Sequence, residues 1–388
     1  MTAFEIMLGM ISSEVAGNEF SIDSAELTDE KLSELYAISK TYDMTHIVGS
    51  ALKKTEADLN LSLVAPFYNE HTLAVFRYRR LQDELDQITD AFEKAGIDNI
   101  PLKGSVLRAY YPEQWMRTSC DIDVLVKKES LDSACAILES ELGYEYMTGC
   151  SHDVSYESPT GVHLELHFVL LEEDGHLSGY ADVLSDVWER SIPDEGKKHT
   201  RKMADGDFYF YHLAHMAKHF LSGGCGIKPF VDLWILDNKV SGDIKDREEL
   251  IERGGLSGLL NASRRLVDVW FFSGEYDDNI RVFEKYIVHG GNYGTVENSV
   301  NIGVGRKQGR FAYVLSRIFP PYKSMLLMYP SLEKKKLLLP FYHIRRWFRI
   351  VFSGGAKKAI AQFSKSSKIS KKEVSEMANL VNYLGLDE

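Results

Sequence analysis

Two short runs near the middle of the chain constrain its fold most: DIDVLV at 121–126 and VHLELHFVL at 162–170 both alternate in polarity with a period of two. That is the period of a strand with one buried face, and a helix cannot hold it. In the first run Asp121 and Asp123 share a face, with Ile122 and Val124 on the other. In the second, His163, Glu165 and His167 share a face opposite Val162, Leu164, Leu166 and Phe168. If the two strands lie side by side, three carboxylates project into one space. Their mutual repulsion is relieved by a hard divalent cation, so the pattern points to a metal site that can also take a proton from an attacking hydroxyl.

Asp-x-Asp alone is weak evidence, because metal-dependent glycosyltransferases use it and chance copies are common. The context narrows it. Upstream, LKGSVL sets Gly104 and Ser105 at the junction of a strand and a helix, where free backbone N–H groups favour an anion and glycine permits close approach. A phosphate-holding turn followed by strand carboxylates is the arrangement of a nucleoside triphosphate site, with the third acid on its own strand counting against a glycosyltransferase.

The flanks read differently. Between Leu73 and Ala95 an apolar stripe of Leu81, Leu85, Ile88 and Phe92 predicts a helix that Gly96 ends. IDNIPL and DIDVLV read as strands around a turn and a helix beginning near Gly104; Leu131, Ala134, Cys135, Leu138 and Leu142 mark a second helix; DVSYES, a Thr160-Gly161 turn and VHLELHFVL form a hairpin. Beyond Asp205 the chain is helical again, through FYFYHLAHMAKHF, VDLWIL and RRLVDVWFF, with HGGNYG and GVGRKQG read as loops. The expected fold class is α+β: a mixed sheet core at 96–204, an N-terminal helical region at 1–95, and a C-terminal helical domain with a basic tail at 205–388.

At 388 residues and 44% hydrophobic content the chain can bury a substantial core. Its start, MTAFEIMLGMISSEV, has no basic segment or small-residue cleavage site, and no uncharged apolar run of membrane-spanning length occurs, so the expectation is a cytoplasmic protein. Cys120, Cys135, Cys150 and Cys225 show no C-x-x-C pairing, which argues against a thiolate zinc site or a secreted disulfide framework. Net charge is −12, yet residues 306–372 hold 17 Lys and Arg against the single acid Glu333. In that segment SLEKKKLLLPFYHIRRWFRIVF alternates basic and apolar blocks around Pro340, as one or two amphipathic helices would. It is either an anionic-partner surface, for RNA or membrane, or a basic face packed on the acidic remainder.

In FYFYHLAHMAKHF, His212, His215 and His219 fall at i, i+3 and i+7, on one helix face. Without a matching Cys or acid, zinc is disfavoured. Two readings stay open: core packing, or a wall of the cleft in which His215, His219 and the later Asp232 touch nucleotide or acceptor. His152 and His167 are further candidates for the same contact.

LKGSVL, then RTSCDIDVLV, then HLELHF together resemble the pattern of an uncharacterised bacterial nucleotidyltransferase family in the DNA polymerase β nucleotidyltransferase superfamily. The VDLW segment and the late YPSLEKKKLLLPFYHIRRWFR are similar as well. The resemblance implies a nucleotidyltransferase-type core and an enzyme that moves a nucleoside monophosphate from a triphosphate to an acceptor hydroxyl with release of pyrophosphate. It further implies that Gly104 and Ser105, with Lys103 and Arg117 as candidate cations, bind triphosphate. Asp121, Asp123 and Glu165 then hold two Mg²⁺ or Mn²⁺ ions and carry the catalysis. The acceptor, whether small molecule, protein or RNA, is not specified. The rival expectation is a catalytically inactive module of the same fold that acts through its basic C-terminal region.

Overall fold

The computed structural model describes residues 1–55, 59–171, 178–240, 244–292, 294–333, 335–352, 364 and 369–387. Four helices open the chain: α1 (Ala3–Ala16), α2 (Asp29–Thr41), α3 (Thr45–Lys54) and α4 (Leu61–Ala95). Gly96, left-handed at φ 72°, closes α4 as the sequence predicts. Next come β1 (Asn99–Pro101), the one-turn α5 (Gly104–Leu107), β2 (Asp121–Val126), α6 (Leu131–Ser140), β3 (Glu145–Gly149), β4 (Asp153–Glu157) and β5 (His163–His167).

These strands form one mixed sheet in the order β1-β2-β5-β4-β3, with β2 and β5 parallel and the other neighbours antiparallel. The predicted helical stripe Leu81, Leu85, Ile88 and Phe92 packs with Ile122, Val124, Leu164 and Leu166, and with Ala134 and Leu138 of α6, in one buried cluster. Each such aliphatic side chain contributes about 1.5–3 kcal/mol on burial. One sheet face is therefore fixed against α4 and α6, and the pleat sends the acids to the other.

The strand β3 is not anticipated from sequence, and the reason is visible: all five of its residues are exposed, so neither face leaves an apolar signal. Two short helices, α7 (Ser178–Val183) and α8 (Val187–Arg190), lead to a small hairpin, β6 (Ile192–Pro193) and β7 (Arg201–Lys202). The rest is helical: α9 (Asp205–Ser222), α10 (Lys228–Lys239), α11 (Ile244–Arg253), α12 (Ser257–Phe272), α13 (Asp278–Gly290), α14 (Val296–Arg306), α15 (Arg310–Ile318), α16 (Tyr322–Met328), α17 (Leu339–Phe352) and a C-terminal helix, Lys371–Tyr383.

The structure corrects the reading of GVGRKQG as a loop, since its first four residues belong to α14. Their glycines serve close packing. A Cβ on Gly303 would lie 2.6 Å from the Tyr313 ring, and one on Gly305 would lie 2.8 Å from Met377 Cβ of the C-terminal helix. In the HGGNYG stretch Tyr293 is outside the described residues, as are Lys334 and most of 353–368 in the basic segment. The larger core cluster joins α1–α4, Ile100 and Leu125 of the sheet, α9–α13 and Leu380 to Leu386 at the C-terminus. Among the described residues no helix is long and apolar enough to cross a membrane.

Candidate active site

Register decides which acids meet. Across the parallel β2–β5 pair Asp123 stands opposite Glu165, and Asp121 opposite His163. Asp123 is 2% exposed and accepts from Lys103 Nζ at 2.6 Å, while His167 Nε2 lies 2.9 Å from its Oδ1. Glu165 Oε2 lies 3.4 Å from His167 Nε2 and 3.7 Å from Lys103 Nζ. Asp123, Glu165 and His167 thus offer ligand atoms within 4.8 Å of one another. Asp121 lines the same cleft of 480 Å³.

The charges are strongly tuned. Burial raises the Asp121 carboxyl above its ordinary range, and the Asp123 and Glu165 charges raise it further. Burial opposes ionisation of Asp123, but Lys103 and His167 overcome it and hold that carboxyl low. Glu165 is held low by its hydrogen bond from His167. For Lys103 and His167 burial disfavours the charged form, yet their anionic partners raise both above their usual values. A face of three carboxylate-bearing side chains, one of them raised by its neighbours' charge, fits hard divalent cations in its donor chemistry.

Lys103 reaches Asp123 from a strained backbone, φ 46° and ψ −123°, just before the single turn of α5. Gly104 sits in a crowded place: a Cβ there would lie 3.1 Å from Ser119 Cβ and 3.2 Å from its Oγ, so that side chain would have to give by a few tenths of an ångström. Ser105 departs from expectation. Its N–H donates to the Leu102 carbonyl at 3.1 Å, and its Oγ is buried without a hydrogen-bond partner, so the hydroxyl is turned away from the open cleft.

Arg117 lines the cleft, with Nε donating to Asp232 Oδ1 at 2.7 Å and Oδ2 at 2.9 Å. Burial disfavours its charge, but the Asp232 carboxylate keeps its pKa raised. Asp232, in α10, is 0% exposed and also accepts from Tyr111 Oη at 2.7 Å. It lines the cleft as well, with its carboxylate taken up by Arg117 and Tyr111.

The helix α9 supplies the facing wall. His215 and His219 line the cleft with their Nε2 atoms 3.2 Å apart, and burial holds His215 neutral. His212 lines the cleft too, with its Nε2 3.0 Å from the Pro229 carbonyl oxygen. His152 stacks near His167, ring centroids 6.3 Å apart, and its Nε2 lies 2.9 Å from Asp153 Oδ2.

Sequence reasoning missed Tyr211 and Lys228. Tyr211 is buried, with its phenol pKa raised by burial and by the nearby carboxylates; it stands four residues before His215, so extending the histidine face by one turn would have found it. Lys228 donates to Thr118 Oγ1 at 2.9 Å and pairs with Asp43 from the segment between α2 and α3. No local pattern announces that pair.

Comparison with curated proteins and with solved structures gives no significant match. A family model described as "Uncharacterised nucleotidyltransferase" matches residues 28–272, which take in the sheet, its acids and the α9–α10 wall. With the strand register, the acid-bearing sheet face and this match in agreement, the chain belongs to that nucleotidyltransferase family.

Proposed function

We propose that this protein transfers a nucleoside monophosphate from a nucleoside triphosphate to an acceptor hydroxyl, releasing pyrophosphate. The observation that carries the reading is the register that sets Asp123 opposite Glu165 on parallel strands, with Asp121 on the same face beside a strained Lys103–Gly104 turn. Asp121, Asp123 and Glu165 would hold two divalent ions, Mg²⁺ or Mn²⁺, whose chemistry is to neutralise the phosphates and favour the deprotonated acceptor.

The remaining work falls to the chain itself. The acceptor oxygen forms a bond to the α-phosphorus while the bond from that phosphorus to the bridging oxygen breaks, and pyrophosphate leaves with the electron pair. Glu165, kept anionic by His167, takes the acceptor proton. Lys103 and Arg117, both on the cleft, balance charge on the departing pyrophosphate; Gly104 and Ser105 form the close-packed turn that holds Lys103 in place. His215 and His219 orient the acceptor or base from the opposite wall, with His152 also on the cleft, and the helical region from 205 onward carries that wall for the 96–204 unit.

The test is label transfer from each α-labelled triphosphate in cell extract with Mg²⁺ or Mn²⁺. Asp123→Asn should lower transfer by about 10³-fold or more, since it removes a charge from the reacting centre. Equal labelling by wild type and variant would sink the assignment.

A further inference from the structure

Half of the exposed large apolar side chains among the described residues lie between 311 and 352, so the exposure is concentrated in one stretch. In α17, Phe341, Ile344, Phe348, Val351 and Phe352 recur at steps of three, four, three and one, which gathers them on one face of the helix. All five are exposed, Phe348 at 61% and Phe352 at 82%. The opposite side is the packed one: Trp347 Nε1 donates to the Ile318 carbonyl at 3.0 Å, and Phe319 meets Trp347 and His343 with centroids 5.3 and 5.6 Å away. Among the described residues the outward stripe is therefore a second face without a partner, on a helix already docked by its first.

Charge lines that stripe. Arg345 and Arg349 are exposed and lie over the Tyr329 ring at 5.4 and 5.3 Å, along one edge of it. Lys335, Lys336 and the almost fully exposed Leu337, at 96%, precede the helix, and α17 itself contains no acid. Neighbouring α15 exposes Phe311 at 81% and Leu315 at 46%.

Three occupants compete for such a surface. A second copy docked through the same face would bring two arrays of arginine and lysine together, which costs Coulomb energy. A nucleic acid would satisfy the cations, but Ile344, Val351, Leu337 and Leu338 offer no ring for a base to stack on. An anionic lipid bilayer satisfies both: headgroups take the guanidinium and ammonium groups, and the acyl boundary takes phenylalanine, isoleucine, leucine and valine alike.

We infer that α17, with the 335–338 segment before it, lies in the interface of an anionic membrane and holds the enzyme there, with its apolar stripe turned to the lipid. The inference stands on surface geometry and does not depend on the transfer reaction.

The experiment is flotation of the full chain with vesicles of phosphatidylcholine alone and of phosphatidylcholine mixed equally with phosphatidylglycerol. The expected result is binding to the mixed vesicles that weakens with added salt. It should fall by roughly tenfold or more when Phe341→Ser, Phe348→Ser and Phe352→Ser are combined, because partitioning scales with buried apolar area. These positions are exposed, so the fold should persist, which a thermal melt checks. As a second variant, Arg345→Ser with Arg349→Ser should weaken binding and flatten its salt dependence. Absence of flotation, flotation unaffected by the triple substitution, or a salt-stable dimer that the same substitutions dissociate would each overturn the assignment.

Discussion

Arg117 and Asp232 show how much of this cleft is held from outside the sheet. The guanidinium that faces the cleft is clamped by a carboxylate with no exposed surface, 115 residues further along the chain. Removing Asp232 alone, as Asp232→Ala, leaves a buried cation without its partner and should destabilise the protein by about 3–5 kcal/mol. Replacing both, Arg117→Met with Asp232→Leu, should recover most of that stability and none of the transfer activity. Denaturant unfolding and label transfer on the same three proteins separate the two effects; full activity in the double variant would show that Arg117 has no part in the reaction. A second residue gives a pH signature. His46, buried and 2.8 Å from the Met116 carbonyl oxygen, is held neutral, its pKa pushed down to about 4 by burial. Unfolded, it takes a proton near pH ~6.5. Below that pH the unfolded chain binds more protons than the folded one, so His46 makes stability fall as pH drops from about 6.5 toward 4, and contributes nothing to the slope above. Thermal melts of His46→Gln against wild type should differ in slope only within that window.

At the scale of elements, the strands that carry chemistry were the easiest to read. Period-two alternation in β2 and β5 is imposed by the pleat, so Asp121, Asp123, Glu165 and His167 could be put on one face from sequence alone, as could the α4 stripe that covers the other. What stayed hidden has physical causes. The strand β3 buries nothing; Asp232 and Lys228 act on residues more than a hundred positions away; and Ser105 looks identical in sequence whether its hydroxyl faces a phosphate or the interior. The glycines of α14 were misread because the absence of a side chain signals a turn and a close helix contact equally well. That contact is testable. Gly305→Val places a branched side chain where even a Cβ comes within 2.8 Å of Met377, and should cost about 1–3 kcal/mol through overpacking. Hydrogen exchange should report the loss first in the C-terminal helix, and unchanged protection there would refute the packing role.

For the whole molecule, the family match and the folding unit have different ends. The match closes at 272, yet the larger core cluster continues through Ile280, Phe283 and Ile287 of α13 and on to Leu380, Val381 and Leu384. A protein truncated after residue 272 should therefore lose cooperative unfolding and become protease-sensitive, because deleting several fully buried side chains at about 1.5–3 kcal/mol each exceeds the ~5–15 kcal/mol that holds a typical domain together. A sharp thermal transition in the truncated chain would contradict this.

The Lys103–Asp123 contact bears on the order of events at the site. Lys103 stands with its ammonium against the central carboxylate and Glu165 close by, so on the proposed function a cation taken up by Asp123 would have to displace that lysine or share the carboxylate with it. A cation arriving with a triphosphate would bring the lysine a new anion as it took the old one. On that reading loading would be a trade of partners, and readiness for chemistry would be tied to the arrival of nucleotide.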